Sequence, residues 1–561
     1  MTALVPRPAR LALLALGALA AGCATGGSNP PTTPPPATGK PTLPPETPPR
    51  TTEPATAPGQ QPAESPLTGA APTNEFSALQ HDIDSMVVQP EFRNAHWGIL
   101  IVDPDRGDTL YSHNAGKLFM PASNMKIVTG SVALAQLGPD YRFNTAFVAA
   151  GPACGGVLHG DLLVNGRGDP SVSDAMRVDA MIPMREMADS LAARGIKRVR
   201  GRVISGFDAF PGSELGYGWS WDDLGDSYSA GVDELFFNEG YGRVVVRGGR
   251  RAASPVRITA LPSVHYPRLR VAARTAWAPD TLTLAPGGGG VIRSSRYRRS
   301  TSDLTILPDS LGRGLVLTGW IAPGAVDTID VVFPDQNAAY LGALRGAFAA
   351  RGIRIENRTR QLGKCTGATT ARALDTLFVY QSAPLRDILH AMEKPSQNQI
   401  AEILLRTLGL ERAGVGSPDS GSSVVERQLL AWGAEPDGFV IRDGSGLSRY
   451  DYLSPETIVR TLGAIRRDTA FYAFYDGLPI AGIDGTIEYR MRGTAAQGNV
   501  HAKTGFIANA RSLSGYVTTA DGRMLIFSAL CNNWTVPVKD VERVQDAIAV
   551  RLAELTTPVG G

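Results

Sequence analysis

The sequence predicts an α/β protein. One α/β unit, made of two chain segments (76–143 and 385–561), is interrupted by a mostly β stretch (144–384) that forms one or two extra domains, two nested ones on this reading. Three observations carry this. Helix-period and strand-period segments mix at both ends of the folded chain. Between them, short runs rich in Val, Arg and Thr alternate with Gly- and Pro-rich turns. The first 75 residues show neither pattern.

The N-terminal part reads as targeting and tether. Arg7 and Arg10 precede an apolar run over 11–21 that ends in Ala20-Ala21-Gly22-Cys23. A basic start, a short apolar core and small residues mark a secretory signal over 1–23, too short to span a bilayer comfortably. Its end resembles a bacterial lipoprotein signal, with Ala20 where Leu is usual. That resemblance implies lipidation of Cys23 and an exported protein of the periplasm or cell envelope; plain cleavage nearby, giving a soluble exported protein, is the alternative. Fifteen of the 41 Pro lie between Pro30 and Pro72, in a stretch with no aromatic residue. Such a segment buries too little apolar area to offset its ordering entropy, so 24–75 reads as a disordered tether. Roughly 485 residues remain to fold.

Within that remainder, 76–87 reads as an amphipathic helix, and 97–102 and 108–112 as strands around Asp103-Pro104-Asp105-Arg106-Gly107. A helix is expected over 120–137, stopped by Gly138-Pro139. Strands follow at 243–247, 269–273, 315–317 and 328–333. Helices return at 400–408, 423–432 and 455–466, the last with Ser454 as N-cap and Glu456 in its first turn. The runs 512–518 and 524–531 form a hairpin around Ala520-Asp521-Gly522, and a helix over 538–555 ends the fold.

Composition narrows the partners. With 55 Lys+Arg against 53 Asp+Glu, the net charge of +2 gives no basic excess for nucleic acid. The seven His show no H-E-x-x-H, so no metal or other cofactor is expected. Gly287 to Gly290 lacks the Lys-Ser/Thr of a phosphate loop. Cys531 sits in an apolar strand-like run and reads as a buried thiol. Cys154 and Cys365 are left as the pair that a single disulfide would join.

The chemistry rests on lysine. Only eight of the basic residues are Lys, and two of them stand in catalytic contexts. In Pro121-Ala122-Ser123-Asn124-Met125-Lys126, residues three apart at a helix start share a face, so a hydroxyl and an amine become neighbours. A serine is a poor nucleophile until a base takes its proton, and a lysine of lowered pKa is such a base. Lys503-Thr504-Gly505 offers a cation, a hydroxyl and a strand backbone that a substrate can approach closely. Ser396-Gln397-Asn398 lies between them at a helix entrance. Ser445, in Asp443-Gly444-Ser445-Gly446, has no base nearby in sequence and reads as a loop by the site or a turn.

The motifs S-x-x-K, S-x-N and K-T-G in this order resemble those of the penicillin-recognising serine enzymes. The long first gap resembles the DacB-type D-alanyl-D-alanine carboxypeptidases/endopeptidases, the class C low-molecular-mass penicillin-binding proteins. Gly166-Arg167-Gly168-Asp169-Pro170, Asp443 to Arg449 and Gly482-Ile483-Asp484-Gly485-Thr486 support that branch. The resemblance implies a transpeptidase-like domain, an antiparallel sheet flanked by helices. It implies peptidoglycan stem peptides and β-lactams as ligands. Ser123 would form the acyl-enzyme, with Lys126 as base, Ser396 relaying a proton and Asn398 orienting Lys126 and the substrate amide. Lys503 and Thr504 would hold the terminal carboxylate, Gly505 would let the substrate lie against the strand, and the N–H groups of Ser123 and Phe506 would form the oxyanion hole. Two residues depart from the pattern. Phe506 stands where Thr or Ser is usual and removes a hydroxyl, and Gln397 replaces Asp or Asn. A serine β-lactamase and a non-catalytic, β-lactam-sensing or wall-binding lipoprotein are the other readings; the long insert disfavours the first, and Phe506 leaves room for the second.

Overall fold

The sheet of the catalytic unit is built from the two ends of the folded chain. The computed structural model describes residues 74–263, 267–277, 282–284, 291–293, 301–308, 314–358, 369–371 and 374–556. The signal, Cys23, the tether up to residue 73, Gly287 to Gly290 and Cys365 lie outside the described residues; 74 and 75, read as the end of the tether, begin the helix Asn74–Val87. The strand order is Asp108–His113, His96–Asp103, Met524–Asn532, Ala510–Thr518, His501–Ile507, every neighbour antiparallel. The continuous apolar run at 524–531 is explained by burial on both faces. Ile99, Ile101, Leu525 and Phe527 point to a core shared with the helices Asn74–Val87 and Val538–Ala553. Leu100, Ile526 and Leu530 point to the opposite core, shared with Met125–Leu137, Asn398–Ala413 and Pro455–Arg466.

Local signals set several of these boundaries. Ser454 caps Pro455–Arg466 by accepting the Thr457 N–H at 3.0 Å. Gly414, with φ of 78°, closes Asn398–Ala413 in the left-handed conformation that glycine adopts without strain. The helix expected from 120 starts later. Ala122–Asn124 is a single 3₁₀ turn, and the α-helix runs Met125–Leu137.

The stretch between the two segments holds two hydrophobic clusters. The first gathers Phe147, Leu162, Val203, Leu344, Phe348 and Phe378 around the sheet Thr376–Gln381, Asn144–Ala149, Leu162–Asn165, Val203–Ser205. Two helices that the sequence reading missed, Met181–Ala193 and Gln336–Ala350, pack into it. Their apolar residues form no clean stripe, and Pro183, Gly342 and Gly346 interrupt them. The second cluster, Val244, Val246, Leu304, Leu317, Ile321 and Val331, lies between strands that fall wholly inside the first one's chain span. Cys154 is disulfide-bonded, and Cys531 is a buried free thiol. Arg167 pairs with Glu411, and Asp169 is buried. No helix of the described residues is long and apolar enough to cross a membrane.

One part of this middle stretch returns to the catalytic unit. Ala209, Phe210, Val232 and Phe236 belong to the core around Met125–Leu137 and Asn398–Ala413. Trp219 Nε1 donates to Asp443 at 2.9 Å, and Arg406 Nη2 donates to the Ser213 carbonyl at 2.5 Å. Part of the middle stretch, within 209–236, thus packs directly against the core formed by 76–143 and 385–561.

Candidate active site

The turn that carries Ser123 is fixed to the sheet by buried polar side chains. Asn124 Nδ2 donates to the Lys503 carbonyl at 2.8 Å, Ser514 Oγ donates to Asn124 Oδ1 at 2.7 Å, and Ser512 Oγ donates to the Pro121 carbonyl at 2.7 Å. Ala122 holds a left-handed φ of 48° within it. Held in this way, the turn keeps the Ser123 N–H beside strand His501–Ile507. An ideal Cβ on Gly505 would fall 2.9 Å from Ser123 N and 2.1 Å from Ser512 Oγ, so only glycine fits there.

Lys126 is the hub. It is fully buried, and its Nζ lies 2.9 Å from Ser123 Oγ, 2.6 Å from Asn398 Oδ1 and 2.9 Å from the Ser445 carbonyl. Burial, and next the Lys503 ammonium, push its pKa from 10.5 down to about 7, with Glu393, Asp443 and Glu402 opposing. Asn398 is itself fixed by donating to the Tyr228 carbonyl at 2.8 Å, and its neighbour Gln399 donates to the Ser227 and Ala230 carbonyls. The returning segment thus orients a residue that touches the lysine.

The Asp443 to Ser448 loop presents the Ser445 carbonyl because buried carboxylates hold it. Asp443 accepts from Ser445 N, Gly446 N and Ser448 N, and Glu402 Oε1 accepts from Gly444 N and Ser445 N. Gly446, with φ of 81°, lies so close to the Ser123 turn that a Cβ would meet the Ala122 carbonyl at 1.8 Å. Burial, and next the Asp443 charge, raise Glu402 to about 8. Asp451 is pushed well above the usual carboxyl range by burial and by the same neighbour.

Lys503 is also fully buried. Its Nζ donates to the Thr504 carbonyl at 3.2 Å, and burial lowers its pKa to about 8. Thr504 Oγ1 donates to Thr486 Oγ1 at 2.7 Å, which places the Gly482 to Thr486 motif beside the strand. Phe506 is 56% exposed, with the Arg511 guanidinium 5.4 Å from its ring centre. Ser396 sits at the entrance to helix Asn398–Ala413 with a left-handed φ of 66°, and its hydroxyl bonds to none of the described residues. Gln397 caps that helix by accepting from Gln399 N at 2.6 Å.

The geometry therefore brings Ser123, Lys126 and Asn398 into direct contact, with Lys503 buried close enough to act on Lys126 through its charge. Sequence reasoning missed the Ser445 carbonyl, Glu402, Glu393 and the Tyr228 carbonyl. The arrangement is a serine hydroxyl facing a buried amine, next to a glycine strand and a second cation. Such a site suits acyl transfer to the serine from a substrate that ends in a carboxylate.

Known proteins resemble this chain over most of its length. The model of the D-Ala-D-Ala carboxypeptidase 3 (S13) family matches residues 79–283 and 299–555. The D-alanyl-D-alanine carboxypeptidase of Actinomadura sp. (strain R39) is 32% identical over 499 residues, 87% of each chain. The D-alanyl-D-alanine carboxypeptidase DacB of Haemophilus influenzae is 25% identical over 465 residues, covering 80% of this chain and 87% of that one. The crystal structure of penicillin binding protein 4 from Haemophilus influenzae shares the fold, with a TM-score of 0.67 at 21% identity, over 84% of this chain and 100% of that one. The family that the three motifs suggested is the family whose model matches most of the chain: this protein belongs to the D-Ala-D-Ala carboxypeptidase 3 (S13) family.

Proposed function

We propose that the chain is a serine-type, penicillin-binding D-Ala-D-Ala carboxypeptidase/endopeptidase that cleaves peptidoglycan stem peptides through an acyl-enzyme on Ser123. The observation that carries this is the 2.9 Å contact between Ser123 Oγ and a buried Lys126 whose ammonium form is disfavoured. Ser123 Oγ attacks the carbonyl of the penultimate D-Ala while the neutral Lys126 amine takes its proton. The carbonyl oxygen becomes an oxyanion that accepts from the Ser123 and Phe506 N–H groups. Collapse of this intermediate breaks the peptide bond, and the leaving amine receives a proton through Ser396. Free D-Ala departs, or in a cross-link the neighbouring stem. Water then attacks the ester and regenerates Ser123. Lys503 and Thr504 hold the terminal carboxylate, while Asn398 orients Lys126 and the substrate amide.

The test is direct. Incubation with penicillin, followed by proteolysis and mass spectrometry, is expected to place one penicilloyl group on the peptide containing Ser123. Digestion of purified peptidoglycan is expected to release D-Ala or remove cross-linked dimers. An unmodified Ser123 peptide with the drug bound elsewhere would sink the assignment.

Phe506 bears on substrate preference. Its exposed ring offers the carboxylate no hydroxyl where Thr or Ser would. Phe506→Thr is expected to raise kcat/KM for a D-Ala-D-Ala-ended peptide about 3- to 10-fold, the net worth of one ordinary hydrogen bond. An unchanged or lower value would show that the ring, not a hydroxyl, is what this substrate uses.

The N-terminal sequence supports export, with Cys23 as a lipid anchor and 24–75 as the tether that places the enzyme in the cell envelope.

A further inference from the structure

Two hydroxyls in the proposed reaction must be held at a fixed spacing. The leaving D-Ala carries its amine and its carboxylate on one carbon. Ser396, which gives the amine its proton, and Thr504, which holds the carboxylate, therefore serve neighbouring groups of one small residue. Yet they come from different segments, Ser396 from a turn between two helices and Thr504 from strand His501–Ile507.

Ser396 takes its place from the turn that joins Leu385–Glu393 to Asn398–Ala413. Gln397 N closes this turn on the Met392 carbonyl at 2.8 Å. Ser396 stands in it with a left-handed φ, which a residue bearing a side chain keeps only where its surroundings impose it. Lys394, two residues earlier, supplies such a constraint. Its Nζ donates to both oxygens of Asp484, at 2.9 and 2.8 Å, and to the Leu478 carbonyl at 2.6 Å. The three acceptors match the three N–H bonds of an ammonium group.

Asp484 sits in a loop whose other side is tied to the strand of Lys503. Asp484 Oδ1 also accepts from Ile480 N at 2.9 Å, and Ala502 N donates to the Pro479 carbonyl at 3.0 Å. Thr486, two residues after Asp484, accepts from Thr504 Oγ1. Between these contacts the loop passes directly against the Lys394 backbone. Gly485 has a φ of 62°, and an ideal Cβ on it would fall 2.9 Å from the Lys394 carbonyl oxygen. The contacts thus run from the turn of Ser396 through Lys394, Asp484 and Thr486 to Thr504. Neither Lys394 nor Asp484 belongs to the S-x-x-K, S-x-N or K-T-G motifs.

We propose that Lys394 and Asp484 are positioning residues: their ion pair sets the spacing between Ser396 and Thr504, so that one terminal D-Ala meets its proton donor and its carboxylate clamp together. This rests on the roles of Ser396 and Thr504 given above.

The experiment gives the full chain two substrates that end in the same carboxylate. One is a D-Ala-D-Ala-ended peptide, the other its thiolester analogue with sulfur in place of the scissile N–H. A thiolate leaves without being protonated, so the thiolester needs the carboxylate hold but not the Ser396 proton. Lys394→Met is expected to lower kcat/KM about 100-fold for the peptide, the effect of a misplacement of about 1 Å, and no more than about 10-fold for the thiolester. Lys394→Arg, which keeps a cation for Asp484, is expected to recover most of the loss. Asp484→Asn, which keeps an acceptor for Ile480 N, is expected to show the same inequality, and it serves alone if Lys394→Met does not fold. Ser396→Ala is the reference, expected to lose the peptide far more than the thiolester. If it does, equal losses on the two substrates in the Lys394 and Asp484 variants, or no loss, overturn the proposal. A Ser396→Ala protein that loses both substrates equally would instead overturn the reading of Ser396 itself.

Discussion

Ser123→Ala and Lys126→Met are each expected to lower acylation by a fluorescent penicillin about 10⁴-fold or more, and the double variant no further than either alone. The reason lies in the hub geometry. Ser123 Oγ faces one base at 2.9 Å, and Lys126 spends its remaining contacts on Asn398 Oδ1 and the Ser445 carbonyl. A hydroxyl without its base and a base without its hydroxyl are equally idle, so the two losses do not add. Fold and function should separate in this test. Methionine nearly fills the lysine's volume and removes the need to bury an amine. Against that, it leaves two acceptors unpaired, each worth about 1–3 kcal/mol. The net change in stability is expected to stay within about 2 kcal/mol, measured by urea denaturation alongside the labelling rate. A Lys126→Met protein that folds and still labels within tenfold of wild type would show that another group takes the serine proton.

The second large effect is on the fold. Asp443→Ala is expected to destabilise the catalytic unit by about 3–5 kcal/mol and to slow acylation more than about 100-fold. In a fully buried site, Asp443 accepts from three loop N–H groups and from Trp219 Nε1. Alanine leaves Gly446 N, Ser448 N and Trp219 Nε1 without an acceptor and Ser445 N with Glu402 alone, frees the loop that presents the Ser445 carbonyl, and unpins the returning segment at Trp219. Asp443→Asn keeps one acceptor oxygen and is expected to lose about half as much. Removing the Asp443 charge also lets Asp451 ionise more readily, because that charge is a main cause, after burial, of its raised pKa. Urea denaturation read by tryptophan fluorescence, together with the acylation rate, checks both parts. An Asp443→Ala protein as stable as wild type would mean that the loop holds its shape without the carboxylate.

These residues show what a sequence can and cannot disclose. Ser123 and Lys126 were legible because helical spacing alone makes them neighbours. Pro455–Arg466 was legible to its ends because Ser454 and the proline after it mark the start chemically. The Met524–Asn532 strand was legible because burial on both faces leaves an unbroken apolar run. The Ser445 and Tyr228 carbonyls were not, because every residue carries a carbonyl and only the fold decides which ones turn inward. Glu393 and Glu402 were hidden for another reason. A carboxylate on a helix ordinarily faces water, and nothing in the local pattern distinguishes one that is buried. The helices Met181–Ala193 and Gln336–Ala350 escaped because packing, rather than a clean apolar stripe, stabilises them. The link between 209–236 and the catalytic core was invisible for the same reason that any long-range contact is: the residues that meet lie far apart in the chain.

The pairing of His96–Asp103 with Met524–Asn532 has a consequence for when the enzyme comes into being. The first long strand of the central sheet has as its inner neighbour a strand that lies far later in the chain. A nascent chain that has already emerged past Ser123 and Lys126 still lacks the strand that completes the sheet and the strand bearing Lys503. Such high contact order makes assembly of this unit slow. The nucleophile therefore has its base beside it in sequence long before it has Lys503, and hydrolytic competence waits for the strands 501–507, 510–518 and 524–532.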